Sequence, residues 1–151
     1  TGNVLHKSSI PVLVIPRSYR VRPIQKLLYS SDLENFDKEM PAVSTFAEAL
    51  QVKVDLAHFY FPGQITLNKE NLEQMWRLKF PTLDQVYLEP YDLKKGFPAQ
   101  LDQLIQKTKP SLVVFFSHTK RTWFDKLFGL SISESMSFVT KVPMLVYRKK
   151  Q

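Results

Sequence analysis

A polar and basic stretch follows the most apolar run of the chain, and its residue types are those that bind anions. Leu112–Phe116 are five consecutive apolar residues, too short for a membrane span and typical of a buried strand. The next five residues, Ser117–Arg121, offer two hydroxyls, an imidazole and two cationic groups. In open α/β sheets the ligand crevice lies at the carboxyl ends of the strands, where this stretch would stand. Lys120 and Arg121, with Ser131 and Ser133 near the start of the following helix, are therefore a candidate site for a small anion.

Acid–base chemistry is the alternative use of this stretch. His118 stands beside Ser117, and Asp32 ends another predicted strand. The other two histidines, His6 and His58, are far away along the chain, and none of the three belongs to a metal-binding pair. With no cysteine, the chain has neither a thiolate nucleophile nor a cysteine metal site. We therefore expect no catalytic residues and no metal site, and interpret the protein as non-enzymatic.

Alternating strand and helix patterns surround this stretch and must position it. The predicted strands are Lys26–Asp32 with its polar end, Val52–Phe61, Val86–Leu93, Leu112–Phe116 and Met144–Tyr147. Pro90 places the third of these at a sheet edge. The predicted helices are Pro41–Leu50, Asn68–Lys79, Pro98–Thr108 and a segment carrying Phe128, Ile132, Met136 and Val139. This alternation predicts an α/β fold with a parallel sheet and right-handed crossovers.

Apolar residues at helical spacing define the helix faces that we expect to be buried. They are Val43, Phe46, Ala47 and Leu50 in the first helix, Leu72, Met75 and Trp76 in the second, and Leu101, Leu104, Ile105 and Thr108 in the third. His58 lies in a predicted central strand, where a histidine with a satisfied hydrogen bond is more common than a ligand.

The chain repeats its own ending near its start. Ile10–Ile15 reads Ile-Pro-Val-Leu-Val-Ile, and Val142–Tyr147 reads Val-Pro-Met-Leu-Val-Tyr, with the two prolines 132 residues apart. That separation is an ordinary length for one α/β domain. Two buried strands that each follow a proline would give the same short repeat, so the pattern alone leaves both explanations open.

The segment 112–147 resembles the carboxyl-terminal part of the universal stress protein family. Nucleotide-binding members carry a glycine, two residues, a second glycine, nine residues and then Gly-Ser or Gly-Thr. A loop of this kind works because its backbone N–H groups approach the phosphates closely. With Ser117-His118 set on the family's Thr-His, the motif positions are occupied by Phe116, Thr119, Gly129 and Leu130. Only the third glycine survives, so the resemblance implies a degenerate nucleotide motif.

The resemblance covers nearly the whole chain and implies its fold. That fold is an open parallel five-stranded sheet of order 3-2-1-4-5, of the adenine-nucleotide-binding type, with helices on both faces. Many members are tandem, so residues 1–16 are interpreted as the last helix end and strand of a preceding copy. Residues 17–23 are then a linker and 24–151 the universal stress protein domain, which makes the chain part of a longer protein. We expect the extra strand to pair with the last one, within one chain or in a homodimer.

The resemblance also implies a site. Asp32 matches the aspartate that ends the family's first strand near the nucleoside, although it is equally suited to a cap or turn ahead of the next helix. The vestigial pocket comprises Ser30, Asp32, Phe59, Ser117, Thr119, Lys120, Gly129 and Ser131. The implied function is a stress-response regulatory or binding module without a cofactor. The alternative is an adenine-nucleotide sensor that binds ATP or AMP weakly.

Charge and composition exclude several other classes. The formal net charge of +7 raises a nucleic-acid-associated protein as a second alternative, but the basic residues are dispersed along the chain. They form groups at Arg17–Arg22, Lys120–Lys126 and Arg148–Lys150, and no recognition motif accompanies them. We therefore expect a solvated basic surface. We also expect a cytoplasmic protein with no membrane partner, because there is neither a membrane span nor a signal peptide nor any cysteine.

Overall fold

Six strands form one sheet in the computed structural model, which describes residues 8–61, 63, 68–117 and 141–149. The strands are β1 (Val12–Val14), β2 (Lys26–Ser30), β3 (Lys53–Tyr60), β4 (Leu83–Pro90), β5 (Leu112–Ser117) and β6 (Met144–Arg148). The described helices are α1 (Phe36–Leu50), α2 (Lys69–Lys79) and α3 (Gly96–Thr108). The predicted helix between β5 and β6 lies outside the described residues. None of the described helices is long and apolar enough to cross a membrane.

The strand order is β1-β6-β5-β2-β3-β4, and every pair except β1 with β6 is parallel. The predicted order 3-2-1-4-5 corresponds to β4-β3-β2-β5-β6, so this prediction is confirmed. The chain leaves β2 toward β3 on one side and later returns to β5 on the other. Ligands bind beside such a switch point in open α/β sheets. The carboxyl ends of β2 and β5 are therefore the place to look for a site.

The two faces of the sheet carry separate cores because strand residues alternate between them. On one face Leu27 and Tyr29 pack with residues of α1 and α2, including Met40 and Trp76. On the other face Leu28, Val113 and Phe115 pack with residues of α3, including Leu101. Helices therefore cover both faces, as the resemblance implied.

Helix α1 begins five residues before the predicted start at Pro41. Phe36, Met40, Val43 and Ala47 are all buried and follow helical spacing straight through the proline. Asn35 accepts the first backbone bonds, from Lys38 and Glu39. The prediction was wrong because a proline costs a helix one backbone bond, and here four buried side chains outweigh that cost.

The buried helix faces are narrower than predicted. Met75 is 53% exposed, whereas Trp76 beside it is buried against the ring of Phe36 at a centroid distance of 4.6 Å. Leu50 is also exposed. The four predicted core residues of α3 are all buried, so this face is confirmed. Strand β4 starts at Leu83, before the predicted position, and ends at Pro90 on an outer edge of the described sheet.

The amino-terminal repeat forms the predicted extra strand. β1 runs antiparallel to β6, with Val12, Leu13 and Val14 opposite Val146, Leu145 and Met144. Val12 and Val14 pack on the α3 side of the sheet, while Leu13 faces the other way and is 52% exposed. The strand thus covers an edge of β6 that would otherwise present unpaired backbone groups.

Removing residues 1–16 should uncover that edge. We expect the shortened chain to form dimers or aggregates and to melt about 5 °C lower, since two half-buried valines and the edge hydrogen bonds are lost. Light scattering coupled to size exclusion and a thermal melt would measure both effects. A chain lacking only residues 1–7 keeps β1 and is the control. An unchanged monomer with an unchanged melting temperature would show that β1 adds nothing to the sheet.

Candidate functional site

Polar side chains gather where β2, β5 and β6 end. Ser30 is the last residue of β2, and Ser31 and Asp32 follow it directly. Ser117 ends β5, and its carbonyl oxygen accepts a hydrogen bond of 3.0 Å from the backbone N–H of Lys149. Lys149 comes immediately after β6, so the final residues of three adjacent strands meet at the predicted switch point.

A buried ion network joins these strand ends to α1. The ammonium nitrogen of Lys149 lies 2.6 Å from Asp32 Oδ2 and 3.2 Å from Glu39 Oε1. Glu39 Oε2 accepts a hydrogen bond from the hydroxyl of Tyr29. The Lys149 side chain is only 6% exposed, and that of Glu39 is equally buried. We call these four residues, Tyr29, Asp32, Glu39 and Lys149, the carboxyl-edge network.

Because the network is buried, its charged groups need one another for compensation. An ion removed from water is costly unless opposite charges and hydrogen-bonding groups surround it. Glu39 Oε1 makes no hydrogen bond within the described residues, so its proximity to Lys149 is what compensates its charge. Burial, and then the charge of Glu39, raises the pKa of Tyr29 far above its usual range. Tyr29 therefore stays a neutral donor to Glu39 at any pH at which the protein is folded.

Asp32 is held at both of its carboxylate oxygens. Oδ1 accepts a hydrogen bond of 3.0 Å from the backbone N–H of Glu34, which forms a tight turn, and Oδ2 faces Lys149. Ser31 Oγ supports the same turn by accepting from the N–H of Leu33, which adopts a left-handed φ of 67°. Asp32 is thus a turn-forming residue, as one of the two sequence interpretations proposed.

An aromatic cluster stands beside the network. The ring of Phe116 stacks on Tyr147 with centroids 4.9 Å apart and meets Tyr29 edge to face at 5.7 Å. This is the residue that occupies the first glycine position of the family motif. Its ring packs on the α1 side of the sheet, next to Tyr29. Phe116 therefore serves the core of this face, where a glycine would leave a space.

The other predicted site residues are only partly brought together. Ser30 lies buried at the edge, and its hydroxyl has no hydrogen-bond partner in the described part of the chain. Ser117 donates weakly to the Tyr147 carbonyl at 3.4 Å. Phe59 lies on the α3 face, with its ring 5.0 Å from that of Phe97, and is separated from Asp32 by the sheet. The remaining four predicted residues, Thr119, Lys120, Gly129 and Ser131, lie outside the described residues.

His58 is satisfied, as expected for a core histidine. Its Nδ1 lies 3.0 Å from the carbonyl oxygen of Ser31, to which it donates. Within the described ranges no three His, Asp or Glu side chains are grouped so that they could hold a metal ion.

Sequence reasoning missed Glu39 and Lys149. Glu39 lies between Lys38 and Met40 in a stretch that was not predicted to be helical. Its side chain could therefore not be assigned to a buried helix face. Lys149 looked like part of a basic tail. The available signal was its position as the second residue after Tyr147, which puts it on the same face of the strand as that tyrosine.

Asp32 already interacts at both of its carboxylate oxygens within the described residues. One oxygen accepts from the turn and the other lies against Lys149, so a ribose hydroxyl bound here would have to share one of these oxygens. The ammonium group also occupies the space in front of the carboxylate. A ligand that took the place of the Lys149 ammonium at Asp32 would also leave Glu39 without its cation.

Comparison with known proteins identifies the architecture. No protein-family model and no curated protein matches the sequence. A universal stress protein from Archaeoglobus fulgidus superposes with a TM-score of 0.72 over 98% of the chain, at 17% identity. The chain has the universal stress protein fold. The resemblance predicted from its sequence is thereby confirmed at the level of the fold.

The universal stress protein fold occurs here in a chain that spans about half of that neighbour. The match covers 53% of the Archaeoglobus protein. A second solved structure, a universal stress protein in complex with cAMP, covers 83% of the chain and is itself covered over 98% of its length. Its TM-score is 0.54 at 21% identity.

The carboxyl-edge network predicts a specific stability pattern. Lys149→Met should destabilise the protein by about 3 kcal/mol, because it leaves the buried Glu39 carboxylate and Asp32 without their cation. Adding Glu39→Gln to that variant should recover part of the loss, so the two changes should be non-additive by at least ~1 kcal/mol. Urea unfolding of the two single variants and the double variant measures this coupling.

Lys38→Met is the matched control for that cycle. Lys38 neighbours Glu39 on α1 but is exposed, so its loss should change the free energy of unfolding by less than about 0.5 kcal/mol. Strict additivity of Lys149→Met and Glu39→Gln would contradict the network.

Proposed function

We propose that the protein is a non-enzymatic stress-response regulatory module of the universal stress protein type, whose nucleotide crevice is closed by its own Lys149. It acts in the cytoplasm by binding partners. One observation carries this proposal: an internal cation is bound at the carboxylate that would otherwise receive a nucleoside. The degenerate phosphate motif read from the sequence supports it independently, since a bulky Phe116 replaces a glycine there.

The groups that the structure describes at the crevice are poorly arranged for catalysis. Hydrolysis or group transfer requires a nucleophile beside a free base. Ser31 Oγ accepts from the backbone, His58 donates to a backbone carbonyl, and Asp32 and Glu39 are both compensated by Lys149. These groups are used to stabilise the fold, which favours a binding role over an enzymatic one.

An adenine-nucleotide sensor is the second candidate function. The observation in its favour is that a universal stress protein of the same fold has been solved in complex with cAMP. In the present chain the buried hydroxyl of Ser30, which has no hydrogen-bond partner among the described residues, lies at the same edge and could bond to a ligand that reached it. Such a ligand would have to displace Lys149 from Asp32, so its binding energy would be reduced by the cost of breaking the ion network.

A second copy of the same fold is the proposed protein partner. Ile10, Leu13 and Ile15 are exposed around β1, which is the outermost strand at its end of the described sheet. Larger solved structures that match the chain over about half their length provide room for another such domain. The partner would either precede this domain in a tandem chain or belong to a homodimer.

Nucleotide titration tests the proposal directly. We expect ATP, AMP and cAMP to bind with Kd values weaker than about 1 mM, a free energy of only ~4 kcal/mol, because Lys149 and Phe116 obstruct the crevice. Isothermal titration calorimetry at 25 °C measures each. A micromolar Kd for any of them would instead establish the sensor.

A double variant distinguishes a nucleotide crevice that Lys149 blocks from a fold that has no nucleotide site at all. Lys149→Ala combined with Glu39→Gln removes the internal cation together with the buried carboxylate that needs it. If the internal ion pair is what closes the crevice, AMP binding should tighten at least tenfold in this variant. Phe97→Leu, on the opposite face, serves as a control for general loosening and should leave AMP affinity unchanged.

A further inference from the structure

The fold gathers basic residues that are dispersed along the sequence. Strands β2, β3, β5 and β6 all begin at one edge of the sheet, opposite the carboxyl-edge network. Lys26 and Lys53 are register partners at this edge. Ser111 is bonded to Lys26 through its backbone N–H at 2.9 Å, so Lys109 lies close by. Lys141 comes two residues before Pro143, whose carbonyl accepts from β5 at 3.0 Å.

The arginine-rich linker runs along the same edge. β1 ends at Val14, opposite the first residue of β6. The chain must then cross the starts of β6 and β5 to reach β2, and the backbone N–H of Gln25 is fixed to Ser111 Oγ at 2.9 Å. Arg17, Arg20 and Arg22 lie on this crossing and are exposed. We call this row, Arg17, Arg20, Arg22, Lys26, Lys53, Lys109 and Lys141, the basic rim.

Most of the rim is uncompensated. Lys26 pairs at 3.2 Å with Asp55, a buried carboxyl whose pKa is raised by its burial. The other six rim residues are exposed and take part in no ion pair with any described residue. Among the described residues at this edge, Glu48 near the end of α1 and Asp84 near the start of β4 are the exposed carboxylates. Six cations against two anions give this edge a strong positive field.

The shape of the rim fits a linear polyanion. The row crosses from β1 to β3, four interstrand spacings or about 19 Å, which matches five or six phosphates along one strand of a duplex. Arginine, which grips phosphate with two parallel N–H groups, supplies three of the six cations. In addition, Tyr19 lies in the linker with the Arg22 guanidinium 5.9 Å from its ring centre. That contact holds the arginine at the rim.

We infer that the basic rim binds the phosphodiester backbone of nucleic acid without reading its sequence. Binding is electrostatic, so it is strongest at low salt and does not involve the crevice or the carboxyl-edge network. A merely solvated basic surface was expected because the basic residues are dispersed along the chain. The fold brings these seven residues together at one edge of the sheet. Contacts from about five rim cations would give a log–log salt slope near −4 to −5.

Fluorescence anisotropy with a labelled 20-base-pair DNA duplex of mixed sequence tests this inference. At 50 mM salt we expect a Kd in the micromolar range, and a loss of several hundredfold between 50 and 200 mM. The triple change Arg17→Gln, Arg20→Gln, Arg22→Gln should weaken binding at least 30-fold at 50 mM salt. It should also make the slope shallower by about 2.7. A scrambled duplex should bind equally well.

The matched control removes three charges from the opposite edge. Lys38, Lys69 and Lys94 are exposed near the carboxyl ends of the strands, and their triple change to Gln should alter the salt slope by less than about one. Equal losses in the two triple variants would mean that net charge alone drives binding, which overturns the rim. Arginine-dependent binding to phosphatidylserine vesicles at 150 mM salt, with no duplex binding at 50 mM, would also overturn it in favour of a lipid surface.

Discussion

An ammonium group buried between two carboxylates holds together three separate stretches of the protein. Lys149 comes from the end of β6, Asp32 from the loop after β2, and Glu39 from the first turn of α1. The buried charges of Lys149 and Glu39 are tolerable in the interior because each faces an opposite charge. The carboxyl edge of the sheet, where this fold offers its ligand crevice, is consequently occupied by side chains of the protein itself.

The network also explains where α1 starts. Glu39 can face Lys149 only if the helix already exists before Pro41, and Phe36 and Met40 anchor that early turn in the core. The tight turn built on Ser31 and Asp32 delivers the chain from β2 to this helix. The helix tolerates Pro41 in its interior because the packing of its first turn and the ion pair of Glu39 outweigh one lost backbone hydrogen bond.

Much of the fold was predictable because its signals are local. The strands of the parallel sheet follow from short apolar runs, and the pairing of β1 with β6 was expected from the repeated segment around Pro11 and Pro143 together with the family resemblance. The strand order came from the family resemblance, since apolar runs do not specify which strands are neighbours. The start of α1 was mispredicted because the local proline rule was applied where tertiary packing prevails.

The site was harder to predict because its contacts are long-range. Asp32 lies after a strand end, as its sequence position predicted, but the cation that it contacts lies 117 positions away in sequence. Nothing local distinguishes Lys149 from its two basic neighbours until the strand is registered against β5. The basic rim has the same origin, because its residues come from five different segments that only the sheet aligns. Sequence patterns predict helices and strands well, but they do not predict which charged residues from distant parts of the chain come into contact.

A crystal structure grown with 0.5 mM AMP would test the proposed closure of the crevice most directly. The account predicts that the Lys149 ammonium stays in contact with Asp32 and Glu39, with no nucleotide density in front of Asp32. A ribose bonded to Asp32, with Lys149 displaced toward solvent, would show that the crevice is an open nucleotide site and would contradict the account.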